Sequence, residues 1–126
     1  SIDQKAVKQK LTPEQIVDAI ISEDNARAML NSLVICLFAR NVYSEDIVSK
    51  ALETLGIKKT KEDLLSIGKE IFRMKYEFKK REGFDLGEVK IPKRFFETEC
   101  LAGKLSGEVA DNMLQLYKEK LKGIVT

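Results

Sequence analysis

Catalysis or metal binding would begin from histidines, cysteines or carboxylates in register, and this sequence offers few of them. There is no histidine, which removes the usual general base near neutral pH and the commonest imidazole metal ligand. The two cysteines, Cys36 and Cys100, stand too far apart in sequence for a Cys-x-x-Cys metal or redox motif. A disulfide between them would need a fold that brings them together and an oxidising compartment. Taken alone, Cys36 reads as a core thiol, since its neighbours are all apolar and free cysteine packs as a small hydrophobe. Asp63, Glu70 and Glu77 recur every seven residues, which on a helix puts them about 10 Å apart, too far to share one ion. That line predicts a solvated stripe with basic partners. Arg81 and Arg94 are expected to tie down an irregular segment through buried ion pairs, and no residue of the chain is assigned a catalytic role.

Charge and composition exclude further classes. The 22 basic and 20 acidic side chains of these 126 residues are interspersed and leave a formal charge of +2, no electrostatic footprint for nucleic acid. The most basic cluster, Lys75, Lys79, Lys80 and Arg81, is offset by Glu77 and Glu82 and suits a helix C-terminus. No apolar stretch reaches membrane-spanning length, and Ser1 to Lys10 has no signal-peptide core. The expectation is therefore a cytoplasmic protein that binds neither nucleic acid nor membrane. Abundant lysine and glutamate without tryptophan or histidine fits a thermophilic source.

The elements that must position these residues read as helices. Thr12, Pro13 and Gln15 form a capping box with proline at the first helical position, ahead of Ile16, Ala19 and Ile20. Ser22 or Asp24 caps a second helix running through Met29 and Leu33 to Ala39. The later part of that helix, apolar on every side, predicts a central element packed all round. Ser44 opens a third helix with Ile47, Val48, Ala51, Leu52 and Leu55 inward and Gly56 as its left-handed terminator. Thr60 and Asp63 open the longest helix, with Leu64, Ile67, Ile71, Met74 and Phe78 as its apolar face and Gly83 beyond its end. Periodicity then fails until Ser106 caps a last helix bearing Val109, Met113, Leu114, Leu116, Tyr117 and Leu121. Phe84, Phe95 and Phe96 are expected to anchor the interval to the core. The prediction is all-α: a compact orthogonal helical domain of four to five helices, one domain over 1–126, with one irregular crossing at about 84–105.

A set of ordered motifs carries more. Asn31-Ser32-Leu33-Val34-Ile35-Cys36-Leu37-Phe38 resembles the C-terminal cofactor motif of the tungsten-containing aldehyde ferredoxin oxidoreductases, written Asp-Ser-Leu-Gly-Leu-Cys with Phe two residues on. Leu55-Gly56, Thr60 to Leu64, Ile67-Gly68-Lys69-Glu70-Ile71, Arg81-Glu82-Gly83 and Ile91-Pro92-Lys93-Arg94 follow in the order and spacing of that family. Gly103, Gly107 and Met113-Leu114 complete the likeness, which covers the chain from about Asn25 onward. It implies that Asn31, Ser32 and Ile35 lie against one pterin of a tungsten bis-pterin cofactor. Cys36 would be the fourth cysteinyl ligand of a [4Fe–4S] cluster. The remaining domains or subunits would be its partners, and ferredoxin the acceptor in the full enzyme. No cofactor is expected on this chain alone.

Three departures qualify the likeness. Asn31 stands where the family has aspartate, and Val34 where it has a glycine that lets the backbone approach the cofactor; a β-branched residue resists positive φ. The family's aromatic tail is represented only by Tyr117 and Lys118 to Gly123. The tail marks either a diverged homologue or a truncated ending, and Ser1 in place of an initiator methionine suggests a fragment, so the chain is read as a fragment or a separately encoded remnant. The alternative reading is a cofactor-free helical interaction module that retains the fold and presents an apolar patch.

Overall fold

The computed structural model describes residues 11–99 and 106–125, and Cys100 lies outside them. Among the described residues five helices follow in chain order: α1 Pro13–Ser32, α2 Glu45–Thr54, α3 Lys61–Arg81, α4 Arg94–Glu97 and α5 Gly107–Val125, with short 3-10 turns at Leu37–Ala39 and Leu86–Glu88. No strand occurs among the described residues, so the fold is all-α as the periodicity predicts. No described helix is long and apolar enough to cross a membrane.

The chain divides into two units, Ser22–Phe78 and the pair of segments Ser1–Ile21 with Lys79–Thr126. In the first, Met29 and Leu30 of α1, Val48 of α2 and Leu64 of α3 form one buried cluster, with Ile35 and Leu52 packed against it. Each such side chain contributes about 1.5–3 kcal/mol by leaving water, and together they hold the three helices against one another. Phe72 is buried further along α3 and its ring meets that of Tyr76 at 4.9 Å between centroids. In the second unit Val17, Ile21, Ala110 and Leu121 are buried, and Asp18 pairs with Lys120 across α1 and α5. Lys118, itself buried, donates from Nζ to the Gly87 carbonyl at 2.8 Å and holds the Leu86–Glu88 turn.

Capping follows the expected chemistry at Thr12 and Thr60, whereas Ser44 precedes α2 without a side-chain cap bond. Gln15 N–H donates to Thr12 Oγ1 and Thr12 N–H to Gln15 Oε1; Thr60 and Asp63 make the same reciprocal pair at the head of α3. The first helix differs from its prediction. It runs unbroken through Ser22 and Asp24, because neither glycine nor proline interrupts it and a polar side chain in mid-helix can face outward at little cost. It then stops at Ser32 instead of continuing to Ala39, so Leu33 to Ala39 is no central helix. On α3 the buried positions are Leu64, Gly68 and Phe72, a stripe of four-residue steps, while Ile67, Met74 and Phe78 are exposed.

Up to Glu99, where the described part ends, the interval after α3 is irregular as expected, broken only by the Leu86–Glu88 turn and the short α4, but Phe84 and Phe95 are not core anchors. Phe84 and Phe95 are exposed and Phe96 is half-buried. Lys79 lies over the Phe84 ring at 5.2 Å, and Arg94 over Phe95 at 5.9 Å, so cation–π contacts hold these rings at the surface. Arg81 and Arg94 are exposed, which corrects the expected buried ion pairs.

Candidate functional site

The helices α1, α2 and α3 each end in one backbone device. After α2, Gly56 N–H donates to Glu53 O and Ile57 N–H to Leu52 O; after α3, Gly83 N–H donates to Lys80 O and Phe84 N–H to Lys79 O. This paired arrangement is the Schellman motif, which needs a left-handed residue at the position just past the helix. Gly56 and Gly83 supply it at φ 78° and 87°. After α1 the same bonds recur, Val34 N–H to Asn31 O at 3.0 Å and Ile35 N–H to Leu30 O at 3.3 Å. Here the left-handed residue is Val34, at φ 58°.

A β-branched side chain in this region costs about 1–2 kcal/mol, because Cβ crowds the following carbonyl. The turn persists because its other parts determine it. Ile35 packs against the cluster containing Leu30, the apolar contact that accompanies this motif, and Leu33 N–H donates to Leu30 O. Ser32 Oγ donates to Met29 O at 2.7 Å. Val34 takes a positive φ against the resistance expected of a β-branched residue, since packing of Ile35 overrides the local preference.

What the turn offers outward follows from what it has used. The N–H groups of Leu33, Val34 and Ile35 are all spent within the turn, leaving side chains as its means of contact. Asn31 and Ser32 are exposed, and Cys36 is an exposed free cysteine, so its reading as a core thiol is corrected. Ile35 is half-buried and turned to the core. Val34 and Phe38 are 92% and 94% exposed. Val42, Tyr43 and Ile47 continue the exposed apolar series into α2. In the run predicted to be packed all round, Leu33, Val34, Cys36 and Phe38 are exposed instead. Its signal in the sequence was the helix stop, hidden because a valine occupies the place where glycine would have announced it.

Cys36 fits one position in a thiolate-ligated group: it lies in non-helical chain, open to approach, on a turn pinned to a rigid core. Asn31 fits a polar contact from the last helical turn. Among the described residues no set of three or more His, Cys, Asp or Glu could hold a metal ion. The stripe of Asp63, Glu70 and Glu77 is occupied by local partners: Arg73 pairs with Glu70 and Glu77, and Asp63 with the Thr60 cap. Hydrogen bonds from Thr60 hold the Asp63 carboxyl below its ordinary range. Arg73 does the same for Glu70, and Glu70 in turn raises the guanidinium.

The family model described as aldehyde ferredoxin oxidoreductase, domains 2 and 3, matches residues 2–122. No curated protein and no solved structure matches the chain.

Proposed function

The chain belongs to the aldehyde ferredoxin oxidoreductase family, and from that premise we propose that it is the helical C-terminal part of a tungsten-dependent member. In this reading residues 1–126 act as one piece that covers the pterin and iron–sulfur site without activity alone. The observation that supports it is the exposure of Asn31 and Cys36 on a turn that Ile35 fixes to the core. An autonomous domain would gain by burying such a thiol, whereas a domain that shares a cofactor must leave it open.

Asn31 and Ser32 would meet the pterin through their polar side chains, and Ile35 would hold the turn that presents them. Cys36 would be one thiolate ligand of a [4Fe–4S] cluster. When bound, the tungsten bis-pterin would supply the two-electron oxidation of an aldehyde to a carboxylic acid, electrons leaving by way of the cluster to ferredoxin. The remaining domains or subunits are the partners, and a cytoplasmic site of action goes with this reading.

The test is anaerobic isolation of the endogenous protein with tungsten and iron analysis on the same sample. Both metals, with iron lost in Cys36→Ser, are expected. A metal-free protein would sink the reading. It would leave the second one, a cofactor-free interaction module, which the exposed Val34 and Phe38 side chains favour.

A further inference from the structure

We propose that Val34 and Phe38 are the apolar anchors on which the polypeptide supplying the other cluster ligands is seated. This rests on the reading of Cys36 as a ligand. A [4Fe–4S] cluster takes four thiolates, and the sequence holds two cysteines. At least two ligands must therefore come from polypeptide outside these 126 residues, and that polypeptide must come within one cluster's width of the Cys36 sulfur.

The occupant of the surface around Cys36 is thereby identified by chemistry. Val34 and Phe38 each stand two residues from Cys36, no more than about 7 Å along the chain. A standard protein interface buries roughly 800 Å² on each side, so a partner arriving at Cys36 covers both. The turn's N–H groups are already bonded internally, so it makes contact through its side chains, and beside Cys36 the most exposed of these are the apolar Val34 and Phe38, at 92% and 94%. An aromatic side chain at such a centre is a typical anchor. Closing the partner over Phe38 also excludes water from the cluster sulfur, where the apolar shell governs solvent access.

Hydroxyl-radical footprinting tests this on the endogenous protein isolated anaerobically, with the isolated 126-residue chain as reference and iron measured on the same sample. A side chain desolvated at the centre of an interface should lose most of its labelling, so Phe38 is expected to be protected in the iron-containing protein. Leu55, 75% exposed in the same unit, serves as the internal comparison and should label alike in both samples. Iron present with Phe38 labelled as in the isolated chain would overturn the anchor and leave the oxidoreductase reading standing. Iron absent would overturn both, whether or not Phe38 is protected, because a partner without a cluster is not the ligand supplier. Equal protection of Phe38 and Leu55 would also overturn the anchor, since the covering would then have no centre at Cys36.

Discussion

Gly68 lies directly against the main chain of Asn25: a Cβ at position 68 would stand 2.4 Å from the Asn25 carbonyl oxygen and 3.2 Å from Met29 Cβ. The atom in the way is backbone, which cannot turn aside as a flexible side chain would. Asn25 is buried, and its Oδ1 has no hydrogen-bond partner in the structure. The crossing of α1 and α3 is therefore close-packed around a glycine.

Gly68→Ala is expected to destabilise the protein. Alanine gains about 1 kcal/mol of helix propensity over glycine, but overpacking against a rigid group costs about 1–3 kcal/mol. The second effect wins at 2.4 Å. Urea unfolding should show a lower midpoint with unchanged slope; an equal or higher midpoint would mean that the helices separate at no cost.

Val34→Gly should stabilise. Relief of the left-handed strain returns about 1–2 kcal/mol, and the greater freedom of glycine in the unfolded chain takes back about 0.5–1 kcal/mol. The isopropyl group is exposed, so little burial is lost. A net gain of about 0.5–1 kcal/mol is expected, measured by the same unfolding experiment, with Gly56→Val as the opposite change. A loss on Val34→Gly would show that the side chain is buried in solution.

The folded-state carboxyls of Asp63 and Glu70 are lowered, by bonds from Thr60 and Arg73 respectively. Depressed carboxylates contribute stability that is complete above the unfolded values, about 3.9 and 4.3, and is lost as pH falls through the lower folded ones. Asp63→Asn and Glu70→Gln should therefore be less stable than the parent near pH 6, with the difference shrinking towards pH 3. Thermal melts at the two pH values decide it; a difference that grows on acidification would reverse the sign.

Cys36→Ser should leave the fold intact, since an exposed position away from caps and core changes stability by no more than about 0.5 kcal/mol. In the isolated chain the Cys36 thiol should react with a soluble disulfide reagent without denaturant. Protection of that thiol in the native chain, assayed on Cys100→Ser to leave one cysteine, would contradict its exposure.

Much of this was legible in the residues. The capping boxes at Thr12 and Thr60, the terminators Gly56 and Gly83, and the helical class follow from local rules, because each depends on hydrogen bonds within four or five residues. The motif from Asn31 to Phe38 was legible as a likeness, since its order of side chains is linear information.

The end of α1 was not. Local preference at Val34 opposes the left-handed turn, and an apolar run from Leu33 to Ala39 favours continued burial. Only the seating of Ile35 against Met29, Leu30, Val48 and Leu64 decided otherwise, and these contacts join residues up to 35 positions apart, from Met29 to Leu64. By itself the sequence determined the helical class, the caps at Thr12 and Thr60, the terminators Gly56 and Gly83 and the family; the tertiary structure decided where α1 ends and that Cys36, Val34 and Phe38 face outward, because exposure is a property of how elements pack and not of the side chains that compose them.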